Sequence, residues 1–147
     1  MHVCFTSSVK AYFLEIHLHL PVLHEDRFLS EFDGYLQTLS NDSGWRPPGV
    51  ILPIRTKRGD RWVLLDAIIA CALVLNTSPQ CAGFAASLGG VRCIWTQVTN
   101  NILLEAWSRP GLEVVQALVI ISFASMMSDW NDMKGGWNII GLAARLR

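Results

Sequence analysis

The sequence lacks the local patterns that mark the common enzyme classes. It contains no G-x-S-x-G, no phosphate-binding loop and no dinucleotide-binding glycine fingerprint. These patterns place a nucleophilic serine or a nucleotide phosphate at the end of a strand. No cysteine and histidine occur together in a recognisable catalytic context. The residues give no support to a catalytic site, and we expect the chain not to be an enzyme.

The chain also lacks a net charge. Its 12 basic and 12 acidic side chains cancel, so no basic field indicates binding to nucleic acid or to an anionic membrane. One short basic run could contact phosphates, but it lies beside Asp60 and has no aromatic residues between its charges. We interpret it as a solvated loop; its members are Arg55, Lys57, Arg58 and Arg61.

Long hydrophobic runs are missing as well. The most apolar stretches, residues 62–75 and 117–127, are shorter than the roughly 20 residues that a membrane span needs. Asp66 interrupts the first, and the second can be lengthened only by including charged or polar residues such as Glu113. We interpret both as buried core helices and expect no membrane insertion. A small membrane-associated helical protein is the alternative.

The few cysteines and histidines show no metal-binding spacing. The cysteines contain no C-x-x-C pair, and the first ten residues lack the basic and apolar segments of a secretory signal. We therefore predict free, mostly buried thiols, without a disulfide framework. His17, His19 and His24 lack the i, i+4 spacing of metal ligands on a helix, and Pro21 separates the first two from His24. No metal or cofactor is expected. The cysteines are Cys4, Cys71, Cys81 and Cys93.

What the sequence does contain is helical periodicity. No segment alternates like a strand between hairpin turns, so we predict an all-α fold, an irregular multi-helix array. Residues 1–9 are interpreted as an N-terminal tail, and residues 10–20 are helical or extended. A helix follows from Glu25, and a Gly- and Pro-rich surface loop occupies residues 40–59. Further helices are predicted at 61–76, around 82–87, at 91–107 and as a closing pair within 110–147.

The closing pair is the most apolar part of the chain. Its first helix is apolar nearly all round, which predicts burial, with one stripe formed by Leu112, Val115, Val119, Phe123, Met126 and Trp130. Its second helix carries a stripe of small and apolar residues that would let another helix approach: Trp137, Ile140, Gly141 and Ala144. Asp129 and Asp132 are interpreted as capping residues. Most tryptophans are expected in the core, and Trp45 in the loop as an interaction residue.

Two stretches together resemble the fungal-specific transcription factor domain. Residues 12–28 are similar to the aromatic-rich opening of that family, with its Pro-x-Leu-His turn at Pro21–His24 and the following Phe28. Residues 110–147 resemble its helix pair through Gln116-Ala117-Leu118, Gly136-Trp137, Gly141-Leu142-Ala143 and Ala144-Arg145. The resemblance covers residues 10–147. The motif residues, which we expect to be scaffold, are Pro21, His24, Phe28, Gln116, Trp137, Gly141 and Arg145.

The resemblance carries expectations about function. The family is the middle homology region of fungal binuclear zinc-cluster regulators, including the xylanolytic-activator type. It implies a nuclear, non-catalytic domain that acts through helix packing and contacts with other regulatory proteins, a homodimer partner or a small-molecule effector. The six-cysteine zinc cluster is missing here, so neither zinc nor DNA contact is assigned to this chain. The family domain continues through more helices, and we therefore expect a fragment of a larger helical regulatory domain.

Overall fold

The computed structural model describes residues 2–41, 60–75, 77, 79–128 and 133–146. All regular structure in these ranges is helical, which confirms the all-α prediction. A π-helical segment, Tyr12–Ile16, and a 3₁₀ turn, Pro79–Cys81, accompany the α-helices. The α-helices are α1 His2–Ala11, α2 Glu25–Asn41, α3 Asp60–Val74, α4 Ala82–Ser87, α5 Val91–Ser108, α6 Leu112–Met127 and α7 Met133–Arg145.

Helices α3 and α6 form the centre of the molecule. Every side chain from Val63 to Leu73 of α3 is buried, and α6 packs against it more extensively than α5 or α1 does. Helix α7 covers another side of α6. Because both central sequences are apolar nearly all round, each can be surrounded by other helices without burying many polar groups. The prediction that the two apolar runs are buried core helices is confirmed.

None of the helices in the described ranges combines the length and the apolar character needed to cross a bilayer. Several sequence predictions concern residues outside those ranges. One such region is most of the loop 40–59, which includes Trp45 and the basic residues at 55–58. The other is the turn that contains Asp129, Trp130 and Asp132. The first two loop residues belong to the last turn of α2.

The N-terminal residues are a packed helix where the sequence predicted a tail. Phe5, Val9 and Tyr12 recur at four- and three-residue spacing and are buried in the common core. The buried face also includes the polar Ser8 and the small Ala11, so it does not stand out in the sequence as an apolar stripe. The ambiguous stretch 10–20 continues as helix with one wide turn, in which the His17 N–H donates to the Tyr12 carbonyl at 2.8 Å, a π-type bond.

The buried face of α6 differs from the predicted stripe. Leu112 is 69% exposed, and the other described stripe members are half-buried. On α7, Trp137 and Ala144 point to the exposed side, whereas Gly136 and Ala143 are buried. Since α6 is apolar on all sides, its periodicity could not select the inner face. The fully or nearly fully buried α6 residues are Val114, Ala117, Leu118, Ile120, Ile121, Ser122, Ala124 and Ser125.

Gly136 sets how closely α7 approaches α6. A Cβ at this position would overlap the Met126 side chain and lie 3.0 Å from the Ser122 carbonyl oxygen. The Ser122 hydroxyl donates to the Gly136 carbonyl at 2.7 Å in the same buried contact. Around Gly141, by contrast, a Cβ would meet no described atom within 4 Å. The close approach therefore depends on Gly136, and the prediction that placed it on Gly141 and Ala144 was wrong.

Asp66 is the one charged residue in the buried span of α3. It is 9% exposed, and burial raises the pKa of its carboxyl group well above the usual range. In the described part of the chain no donor or cation contacts this group. A carboxylate without a partner is costly in such a site, so the neutral acid is the favoured form.

Replacing Gly136 with alanine should destabilise the fold by about 1 kcal/mol, because overpacking outweighs the better helix propensity of alanine. Gly141→Ala is the matched control on the same helix and should stabilise by about 0.5–1 kcal/mol. Urea unfolding followed by circular dichroism measures both. Equal effects at the two positions would contradict the close contact at Gly136.

Asp66→Asn should raise the free energy of unfolding at neutral pH by about 1 kcal/mol or more, because the amide is uncharged in both states and folding no longer requires a carboxylate to take up a proton. In the wild type the folded-state pKa lies above the unfolded value. The contribution of Asp66 to the free energy of unfolding is therefore fully present below the pKa of the unfolded state. It is lost as the pH rises through the pKa of the folded state. The variant should lack this loss. Urea titrations from acidic to neutral pH test it, with exposed Asp33→Asn as control; parallel wild-type and Asp66→Asn curves would refute it.

Candidate functional site

The motif residues fall on two parts of the fold. Pro21 lies in the turn between the π-helical segment and α2, His24 lies immediately before α2, and Phe28 lies on its first turns. Gln116 lies on α6, and the remaining motif residues lie on α7, which packs on α6. The structure brings Gln116 into contact with Val22, which lies between Pro21 and His24 in the turn. The residues on α7 are Trp137, Gly141 and Arg145.

A hydrogen bond joins the turn to α6 across 94 residues of sequence. The Gln116 Nε2 donates to the Val22 carbonyl oxygen at 2.7 Å in a partly buried position. The Val22 N–H donates to the Leu20 carbonyl at 2.8 Å, and Leu23 inserts into the core. A partly buried carbonyl in a tight turn needs a donor from elsewhere, and Gln116 supplies it. We call Pro21–Leu23 together with Gln116 the turn–helix junction.

His24 serves the start of α2. Its Nδ1 lies 3.5 Å from the Arg27 N–H, and its carbonyl accepts from the Phe28 N–H at 2.9 Å. These contacts place His24 at the N-cap position, where acceptors satisfy the free N–H groups of the first turn. The exposed pair Arg27–Glu31 follows at 3.2 Å on the helix surface. The His24 side chain is exposed, and in this arrangement its contacts are those of a helix cap.

An aromatic cluster supports the junction from the side of α2. Phe28 lies 5.7 Å from Phe13 and 6.3 Å from Phe32, measured between ring centroids. Phe13 also meets Tyr12 at 5.2 Å and His17 at 5.1 Å. Such offset and edge-to-face pairs hold the π-helical segment against α2. Sequence reasoning placed the aromatic residues in these segments, but it did not predict the Phe13–Phe28 contact, because that contact crosses a turn of irregular backbone.

The polar atoms within this region are held in neutral forms. The Tyr12 hydroxyl lies 3.5 Å from the Leu20 carbonyl, and burial raises its pKa, with a further contribution from nearby Cys71. Burial likewise raises the pKa of the Cys71 thiol to about 12. A neutral phenol and a neutral thiol are poor nucleophiles. The arrangement is therefore suited to fixing the positions of helices.

Two of the four cysteines form a disulfide, which corrects the prediction of free thiols. Cys4 on α1 is bonded to Cys81 at the end of the 3₁₀ turn, 77 residues away, while Cys71 and Cys93 are free. Nothing in the local sequence links cysteines at such a distance, since the fold alone brings them together. Within the described ranges no three histidine, cysteine or acidic side chains are placed to hold a metal ion.

Two tryptophans lie on the surface where core packing was predicted. Trp107 is 77% exposed and Trp137 is 62% exposed, and Trp95 is half-buried against the core. Helices α5 and α7 lie at the periphery of the array, so each buries only one face. The side chains of the other tryptophans fall outside the described part of the structure: Trp45, Trp62 and Trp130.

Comparison with known proteins gives one match. The family model described as the fungal specific transcription factor domain matches residues 9–147. This span contains the turn–helix junction, the aromatic cluster and helices α2 to α7. No curated protein and no solved structure matches the chain significantly.

Gln116→Met keeps the length of the side chain and removes the donor to Val22. It should lower the free energy of unfolding by about 1–2 kcal/mol, because the partly buried Val22 carbonyl is left unsatisfied. The control is Gln97→Met, since Gln97 is exposed on α5 and donates, within the same helix, to the Cys93 Sγ at 3.3 Å. Urea unfolding compares the two. A loss for Gln116→Met no larger than that for Gln97→Met would contradict the role of the junction.

Proposed function

The chain belongs to the fungal specific transcription factor domain family, whose model matches residues 9–147, and we propose that it is a non-catalytic regulatory domain acting in DNA-templated transcription in the nucleus. It acts through the packing of its helices and through contacts with a partner or an effector. The partner is another transcription-regulatory protein or a second copy of the chain, and the effector is a small molecule.

The observation that supports this proposal is the turn–helix junction. It ties the two sequence motifs of the resemblance to each other through the bond between Gln116 and Val22. Most side chains of α6 are buried or half-buried, and the helix is in contact with α3, α5 and α7. Because packed helices move as rigid elements, a displacement of the turn reaches these helices through α6.

A partner or effector changes the effect of such a domain on transcription only if it binds one conformation of the turn–helix junction more tightly than another. Equal binding to both conformations leaves the equilibrium between them unchanged. The proposed effector contacts therefore involve the turn, α2 or the exposed side of α7. The motif residues Trp137 and Arg145 are exposed there and are available to a partner.

Contact with DNA is proposed to be made by the zinc-cluster domain of a full regulator. This chain carries 12 basic and 12 acidic residues. Because contacts with DNA phosphates need a basic surface, this balance supports the assignment of DNA contact to another domain. The chain itself is proposed to need no zinc and no cofactor.

The proposal predicts that the full chain changes transcription when it is tethered to a promoter. The chain is fused to a heterologous DNA-binding module in a fungal cell, and a reporter gene with the matching sites is measured. We expect the output to differ severalfold from that of the module alone. Gln116→Met should reduce the difference, because it uncouples the turn from α6, and Gln97→Met should leave it unchanged.

Fusion levels are matched by immunoblot, so that a loss of output is not mistaken for degradation. A tethered chain that gives the same reporter output as the module alone would contradict the proposal. So would equal effects of the Gln116 and Gln97 variants at equal protein levels.

A further inference from the structure

The fold brings Cys4 and Cys81 together at the contact of α1 with the segment that leads into α4. Their Cα atoms are 5.0 Å apart, a separation at which two cysteines can be bridged without moving the backbone. Both side chains are buried. The bond joins the first turn of α1 to the 3₁₀ turn and closes a loop that contains α2 and α3.

Contacts other than the bond also hold this interface. The Ser7 hydroxyl donates to the Gln80 Oε1 at 2.9 Å, and the rings of Phe5 and Phe84 meet edge to face at 6.1 Å. These contacts do not depend on the sulfur–sulfur bond. The two cysteines therefore stay close together when the bond is open.

The open form also has partners for the sulfur of Cys81. This atom lies 3.3 Å from the Cys4 carbonyl oxygen and 3.4 Å from the Ser8 hydroxyl. A thiol is a weak donor, and here it finds acceptors within reach. Breaking the bond consequently leaves the Cys81 thiol with hydrogen-bond partners, so the site accommodates the reduced state of this residue as well as the oxidised one.

We propose that Cys4 and Cys81 form a reversible redox site, a dithiol at rest and a disulfide after exposure to a peroxide. Nuclear proteins are kept reduced by the cellular thiol systems, so a bond of this kind reports oxidation. The inference rests on the proposed nuclear function only for this resting state; the pairing itself is a property of the fold.

The chemistry balances with hydrogen peroxide as the oxidant. The Cys4 thiolate attacks one peroxide oxygen, the O–O bond breaks, and the leaving hydroxide takes up the proton of the thiol to give water. The Cys81 thiol then attacks the resulting sulfenic acid, which loses a second water as the S–S bond forms. The two thiols lose two electrons, and the peroxide gains them. A cellular dithiol then reduces the Cys4–Cys81 bond by thiol–disulfide exchange, which returns both cysteines to thiols and converts the dithiol to its own disulfide.

The position of Cys4 favours it as the attacking residue. It lies in the first turn of α1, where the helix dipole stabilises a thiolate. The first turn of a helix opens more readily than its centre, which gives a small peroxide access to the buried sulfur. Cys71 is buried in the last turn of α3, and Cys93 is half-buried on α5; both are free. The site is thus confined to one pair.

Formation of the Cys4–Cys81 bond would stabilise the folded helical array at α1. Closing a loop over 77 residues restricts the unfolded chain and stabilises the folded one. Helix α1 runs directly into the π-helical segment and the turn of the junction. The bond therefore fixes the helix that leads into the turn–helix junction.

The test uses the purified full chain in buffers of reduced and oxidised glutathione, with hydrogen peroxide as the oxidant. Alkylation and peptide mass mapping locate the bond, and thermal unfolding measures its effect. We expect the Cys4–Cys81 bond to form and open between the two ends of the glutathione series, with a melting temperature about 10 °C higher when oxidised. Cys4→Ser and Cys81→Ser should each lose this shift, and the control Cys93→Ser should keep it.

A bond that persists in fully reduced glutathione would show a permanent structural disulfide and would overturn the proposal. A pair that stays reduced in peroxide, or a bond mapped to Cys71 or Cys93, would overturn it as well. Should a serine variant fail to fold, mapping of the wild-type chain still decides the question. The assay uses no reporter gene, so its failure is distinct from a failure of the proposed regulatory function.

Discussion

The packing of α3 against α6 is the contact on which the rest of the structure depends. Both helices present apolar side chains on nearly every side, and each fully buried leucine, isoleucine or valine contributes about 1.5–3 kcal/mol. Once these two helices are buried against each other, α1 and α5 cover α3, and α7 covers α6. Asp66 shows how strong this constraint is, since a carboxyl group without a partner in the described residues is retained in the centre of α3.

The turn–helix junction is connected to the α3–α6 core through α6. Gln116 extends from the central helix to the turn at Val22, so one hydrogen bond relates the N-terminal motif to the core. On the other side of the turn, the Phe13–Phe28 contact relates the same segment to α2. A regulatory domain of the proposed kind needs such connections, because a signal at one helix reaches another only through packed or hydrogen-bonded contacts. The Cys4–Cys81 bond adds a covalent connection at α1, the helix that runs into the π-helical segment and the turn.

Sequence reasoning located the helices from α2 onward well, missed α1 and identified the inner faces poorly. The starts near Glu25, Asp60 and Val91 follow from capping positions and breaker residues, which act locally. The inner face of α6 could not be inferred, because a helix that is apolar all round carries no directional signal. The choice between Gly136 and Gly141 depends on where Met126 and Ser122 lie across the helix pair. The pairing of Cys4 with Cys81 likewise depends on chain topology over 77 residues, which no local pattern reports.

The proposed regulatory role depends most on the meeting of the two sequence motifs at the turn–helix junction. Nuclear Overhauser effects from the side-chain amide protons of Gln116 measure this directly, without any substitution. The structure predicts effects from those protons to Val22 and Leu23, together with slow solvent exchange of the amide proton that bonds to the Val22 carbonyl. Gln116 amide protons that exchange rapidly and show no effect to the turn would contradict the junction and the regulatory role built on it.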